Sequence, residues 1–129
     1  MREVVSTDDA PAAVGAYSQA TTNGDLVFTA GQLPATPDGE LLADAAVGRQ
    51  TERALSNVFA ILESEGAGAE DVLKVTVYLR DADDFDAMND AYAAFFEGRD
   101  AAPPARSAVE APPPVAGADV EIEAVATLR

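Results

Sequence analysis

The chain contains no cysteine, no histidine and no tryptophan, and its one lysine is Lys74. Without cysteine there is no disulfide framework, no thiolate zinc site and no cysteine nucleophile. Without histidine there is no Ser-His-Asp triad. Proton transfer near neutral pH therefore falls to a carboxylate, a tyrosine, a lysine or bound water. No apolar run approaches the length of a membrane span, and the start, Met1-Arg2-Glu3, has no apolar signal region. The expectation is a cytoplasmic protein, neither exported by an ordinary signal peptide nor embedded in a membrane.

Positive charge is scarce as well. Against 23 acidic residues stand 8 basic ones, a formal net charge of −15. So negative a molecule repels phosphate backbones and anionic lipid surfaces, which argues against nucleic-acid or membrane partners. An acidic solubility surface or acidic binding face is one reading. Adaptation to a salty cytoplasm is the favoured one, because acids are spread along the whole chain while lysine is nearly absent.

What is present suits one domain over residues 1–129. Apolar residues make up 48 % of the chain, enough for a single core and inconsistent with wholesale disorder. Residues 3–6 read as a first strand. Asn23-Gly24 signals a hairpin turn before a second strand, Leu26 to Thr29. From about Ala45 to Glu65, Val47, Thr51, Leu55, Val58, Phe59 and Leu62 recur at helical spacing, with Gly66 and Gly68 as the stop. Val72 to Leu79 is the clearest strand. A second amphipathic helix is expected from about Asp83 to Glu97, burying Phe85, Met88, Tyr92 and either Phe95 or Phe96, with Asp83 or Asp84 as its cap and Gly98 at its end. Two late strands, Ala105 to Ala111 and Asp119 to Leu128, flank the stiff Pro112-Pro113-Pro114. The expected fold is α+β, in the order ββαβαββ.

Arg106 opens the first late strand after Pro103-Pro104, among small neighbours. If the last two strands form a hairpin centred on residues 113 and 114, Arg106 lies opposite Glu121. Spacing alone favours a cross-strand salt bridge worth about 0.2–1 kcal/mol. The alternative is a guanidinium aimed at a substrate carboxylate, with an acid near enough to handle water or a proton. Glu121 and Glu123 share a strand face, and either reads equally as a solvated charge. Tyr17 lies near Gly15 on the approach to the turn, where a partly buried aromatic is the plainer reading. Asn89 is a poor helix former inside the second helix, a weak hint of a side-chain hydrogen bond. The acids from Asp81 to Asp86 do not make a calcium loop, since Phe85 and Asp86 stand where a ligand and a glycine are needed. No metal site is expected.

Taken in order, these segments resemble the Rid (YjgF-type) family along nearly the whole chain. The matching pieces are Ala10-Pro-Ala-Ala-Val-Gly-Ala-Tyr-Ser-Gln-Ala20, Val27-Phe-Thr-Ala-Gly-Gln-Leu-Pro34, Gln50-Thr51 and Leu55-Ser-Asn57. They continue through Asp71 to Leu79, Met88-Asn89, Tyr92, Phe95-Phe96, Pro104-Ala-Arg-Ser107 and Val120-Glu-Ile-Glu-Ala-Val-Ala126. The resemblance implies a mixed sheet backed by two helices, as in the small bacterial chorismate mutases, and a homotrimer with sites between subunits. It implies hydrolysis of reactive enamine or imine acids, such as 2-aminoacrylate, to 2-keto acids and ammonia, with no metal or organic cofactor. It makes Arg106 the carboxylate binder, Glu121 the acid that places the attacking water, Tyr17 and Asn89 cleft residues, and Gly31 a backbone donor. Ala108 lies beside the substrate in that scheme. The family often has proline, serine and cysteine where this chain has Ala16, Ala30 and Ala108. Relatives that lack the arginine imply another possibility, a catalytically idle small-molecule-binding or chaperone-like protein. A ribonuclease or translation inhibitor fits the negative charge poorly.

Overall fold

The apolar stripe expected across residues 45–65 folds as α1 (Val47–Glu63), which buries Thr51, Leu55, Val58, Phe59 and Leu62. The second stripe folds as α2 (Phe85–Glu97), which buries Met88, Tyr92 and both Phe95 and Phe96 rather than one of them, whereas Phe85, expected inside, stands 38 % exposed in the first turn. Both aromatic rings meet Phe59 edge-on, with centroids 4.9 and 5.7 Å apart, so one α1 ring wedges against two from α2. The computed structural model describes residues 1–128; the last residue of the expected domain lies outside them.

The strands are β1 (Glu3–Val5), β2 (Ala20–Thr22), β3 (Leu26–Thr29), β4 (Val72–Leu79), β5 (Ala105–Glu110) and β6 (Val120–Thr127). They form one mixed sheet in the order β1-β2-β3-β6-β4-β5. Neighbours are antiparallel except β4 and β5, which run parallel. Helix α2 is the crossover that parallel pairing requires. Along β6, Val120, Ile122, Ala124 and Ala126 are buried in the same core as the helices. The period of two then turns Glu121 and Glu123 to the opposite, open face. The whole is a single α+β domain: one mixed sheet with both helices on one side.

Other expectations fail too. The strand Ala20–Thr22 was not anticipated, so the order is βββαβαββ. The last two strands are not a hairpin, because β4 lies between them. Arg106 is opposite Val75 on β4, and Glu121 is opposite Tyr78 on the other edge of β4. Neither a salt bridge nor a shared site between Arg106 and Glu121 follows from strand register. At the start of α2, the expected caps also give way: Asp81 accepts from the Asp83 N–H at 2.9 Å to cap a 3-10 turn, Ala82–Asp84, and Asp84 makes no side-chain cap.

Candidate active site

Arg106 and Glu121 occupy opposite faces of the sheet. Arg106 pairs with the buried Val75, so its side chain lies on the helix side, where Nη1 donates to Asn89 Oδ1 at 2.9 Å. Its guanidinium carbon sits 4.7 Å from the Tyr92 ring centroid and 5.5 Å from that of Phe85. A planar cation held by an amide and two rings keeps its outer N–H fork in a fixed direction. The weak hint at Asn89 therefore resolves into a contact: the amide steers the arginine. Tyr92 is buried, and its hydroxyl has no hydrogen-bond partner among the described residues. Burial pushes its phenol up to about 12 against the opposing pull of Arg106, so it stays neutral near pH 7. Ala108, two residues on, is partly buried against the core on the same side.

Glu121 stands on the open face beside Gly31. The Gln32 N–H donates to the Ile122 carbonyl at 2.7 Å and the Ile122 N–H donates back to Gln32 at 3.1 Å, which draws the segment after β3 against β6. A Cβ at Gly31 would collide with the Glu121 carboxylate, so glycine is needed there for close approach rather than for an unusual φ. The Gly31 N–H has no hydrogen-bond partner among the described residues. Burial, and then the neighbouring charge of Glu123, holds the Glu121 carboxyl above the usual glutamate range. Tyr78 donates its hydroxyl to Glu123 at 3.1 Å and so ties up that second acid.

Tyr17 is 52 % exposed, and its hydroxyl oxygen accepts from the Val14 N–H at 3.2 Å. The loop that carries it is pinned by a buried residue that sequence reasoning did not single out. Gln19 Nε2 donates to the carbonyls of Thr7 at 3.1 Å and Pro11 at 2.8 Å, while its Oε1 accepts from the Thr7 N–H at 2.7 Å. An amide four residues from a turn carries little signal in a single sequence. Its burial at 4 % exposure is what reveals the role.

Tyr17, Gln19, Gly31, Gln32 and Glu121 border one cavity of about 580 Å³. Its apolar lining comes from three loops: Pro11 and Val14 before β2, Leu33 and Ala35 after β3, and Pro114 and Val115 between β5 and β6. Arg106 and Asn89 do not line it. Among the described residues no group of three or more acids could hold a metal ion.

A single mixed sheet with a clamped arginine on its helix face and an acid–glycine pair on its open face defines a small α+β protein whose polar groups are divided between two surfaces. The profile of the family described as Endoribonuclease L-PSP matches residues 7–128, and the chain belongs to that family, the YjgF/Rid proteins. It is 41 % identical over 130 residues to the 2-iminobutanoate/2-iminopropanoate deaminase of Escherichia coli strain K12, covering all of both chains. It is 42 % identical over 126 residues to a RutC family protein of Pyrococcus abyssi, covering 97 % of this chain and 96 % of that one. Among solved structures it superposes on the YjgF gene product of E. coli with a TM-score of 0.92 at 40 % identity, covering 98 % and 99 % of the two chains. For E. coli TdcF with bound serine the TM-score is 0.91 at 37 % identity, covering 97 % and 98 %.

Proposed function

We propose that this chain is a hydrolytic deaminase of reactive 2-imino and enamine acids, and that each site forms between two subunits of a homotrimer. The full-length likeness to the E. coli deaminase supports the reaction. The observation that carries the arrangement is the separation of Arg106 and Glu121 onto opposite faces of one sheet. A carboxylate binder and an acid–base group that serve one small molecule must then come from different copies. The open face supports such contact, since Val4, Phe28, Leu73 and Val109 are exposed on or beside it.

In this reading one subunit supplies Arg106, steered by Asn89, to receive the substrate carboxylate through two parallel N–H bonds. The next supplies Glu121, Tyr17 and the free Gly31 N–H, with Ala108 of the first close by. Water adds to the C=N carbon as Glu121 accepts its proton. Glu121 passes that proton to the nitrogen, giving a carbinolamine. The hydroxyl proton then moves through Glu121 to the amino nitrogen, the carbonyl forms as the carbon–nitrogen bond breaks, and 2-keto acid and ammonia leave. A carboxyl held above its usual range suits both halves of this exchange. Nothing in the step calls for a metal or organic cofactor. A net charge of −15 withholds the attraction that an RNA-cleaving role would need, and it fits a salty cytoplasm as the working environment.

The test is ammonia release from 2-aminoacrylate generated in place by a pyridoxal-phosphate enzyme, read above the enzyme-free rate. Arg106→Lys keeps the charge and loses the fork, so KM should rise strongly. Glu121→Gln keeps the shape and loses the base, so kcat should fall about 10²–10⁴-fold. Near wild-type rates in both folded variants would refute the assignment.

A further inference from the structure

The segment between β5 and β6 supplies Pro114 and Val115 to the cavity, yet it has little means of holding its own shape. Pro112, Pro113 and Pro114 lack N–H groups, and within residues 112–118 the one backbone–backbone bond runs from the Ala118 N–H to the Val115 carbonyl, at 3.2 Å. The holding comes from outside. Arg80, just past β4, donates from Nε to the Ala118 carbonyl at 3.0 Å and from Nη2 to the carbonyls of Pro113 at 3.3 Å and Val115 at 3.1 Å. Its ion pair with Asp119, at 3.8 Å and about one-third exposed on both sides, adds little beside these. A second tether lies farther along: Gln50 Nε2 donates to the Gly117 carbonyl at 3.3 Å, and Gln50 Oε1 accepts from the Asp119 N–H at 2.8 Å. That tether secures the far end of the loop. Among the described residues, the side-chain hydrogen bonds to the part that lines the cavity come from Arg80.

We infer that Arg80 is a positioning residue that holds Pro114 and Val115 as the apolar wall of a substrate side-chain pocket, fitting the site to 2-imino acids with branched aliphatic side chains. The inference rests on the deaminase reading above and adds to it the substrate size and the device that sets it. A single chain offers about 580 Å³ here before the neighbouring subunit that brings Arg106 is seated, more than a three-carbon acid would fill and within the range of about 300–1,000 Å³ typical of small-molecule pockets. Val115 and Leu33 line the same cavity as Glu121 and Gly31, so the side chain of a substrate reacting beside Glu121 has apolar wall within that cavity to rest against. An apolar pocket of this kind discriminates by about tenfold or more per methylene. Three carbonyls met from two separate nitrogens suit a guanidinium fork and not the single head of a lysine.

The experiment compares kcat/KM on the imines of leucine and alanine, each made in place by an L-amino-acid oxidase, with keto-acid release read above background. The wild-type chain should hydrolyse the leucine-derived imine at least as efficiently as the alanine-derived one. In Arg80→Met the ratio of the two should fall about fivefold or more, chiefly through KM for the larger substrate, and in Arg80→Lys it should fall less. Val115→Ser leaves the clamp in place and should shift the ratio the same way, which decides the matter if Arg80→Met does not fold. A wild-type enzyme confined to the three-carbon imine, or an unchanged ratio in folded Arg80→Met and Val115→Ser, overturns the inference and leaves the deaminase reading standing. A wild-type chain that accelerates neither imine overturns both.

Discussion

Glu121 gains its chemical character from contacts that a single substitution can alter without unfolding the chain. Gly31 leaves room for the carboxylate, and the obstacle to a methyl group there is the far end of a flexible side chain. Gly31→Ala should therefore displace Glu121 and lower kcat about tenfold or more while shifting the melting temperature little; a thermal scan beside the ammonia assay separates the two effects. Burial and Glu123 raise the Glu121 carboxyl, so its neutral form persists to higher pH than in an ordinary glutamate. Activity should then fall on the acid side as Glu121 takes up its proton, with the limb placed above the usual glutamate range. Stability runs the other way. A raised carboxyl favours the fold while it is neutral, and that contribution is lost as pH rises through its folded-state value. Glu121→Gln should accordingly match the wild type in acid and exceed it in melting temperature at neutral pH. Equal melting temperatures across that range would contradict the assigned burial.

At the scale of elements, α1 does more than cover the sheet. Asn57, fully buried on it, donates from Nδ2 to the carbonyls of Leu33 at 3.1 Å and Ala35 at 2.8 Å and accepts from Arg53 at 2.8 Å. It ties the helix to the loop that lines the cavity. Asn57→Ala would strand two carbonyls and a guanidinium nitrogen, at a cost of about 2–4 kcal/mol measurable by denaturant unfolding. Helix α1, helix α2, β4 and β6 were legible in the sequence because each repeats its apolar residues over several turns or pleats. The strand Ala20–Thr22 was not: three small or β-branched residues show no alternation. The insertion of β4 between β5 and β6 was also hidden, since residue spacing within two strands says nothing about a third strand that pairs between them. Arg106 and Glu121 were both named from the sequence, by resemblance to a family. What spacing proposed for them, a direct cross-strand pair, is what the parallel β4–β5 crossover forbids. The clamps formed by Gln19, Gln50 and Arg80 escaped notice because a polar residue becomes a clamp only through the carbonyls that folding brings to it.

For the whole molecule, charge and assembly make separate demands. A net charge of −15 on 129 residues should oppose both folding and the meeting of like subunits in dilute buffer. The melting temperature should climb from low to molar salt as the Debye length contracts to about 3 Å; a flat or falling response would remove the case for adaptation to salt and leave the chemistry untouched. Assembly is tested more sharply by combining two defects. Arg106→Ala and Glu121→Gln chains, each inactive alone, are mixed under denaturing conditions and refolded together in molar salt. If every site takes Arg106 from one subunit and Glu121 from its neighbour, random trimers rebuild intact sites at about one quarter of the wild-type number. Ammonia release from 2-aminoacrylate should then recover to about that fraction of the wild-type rate. Activity no higher than that of the two parents, in mixed trimers verified by mass, would contradict a site shared between subunits.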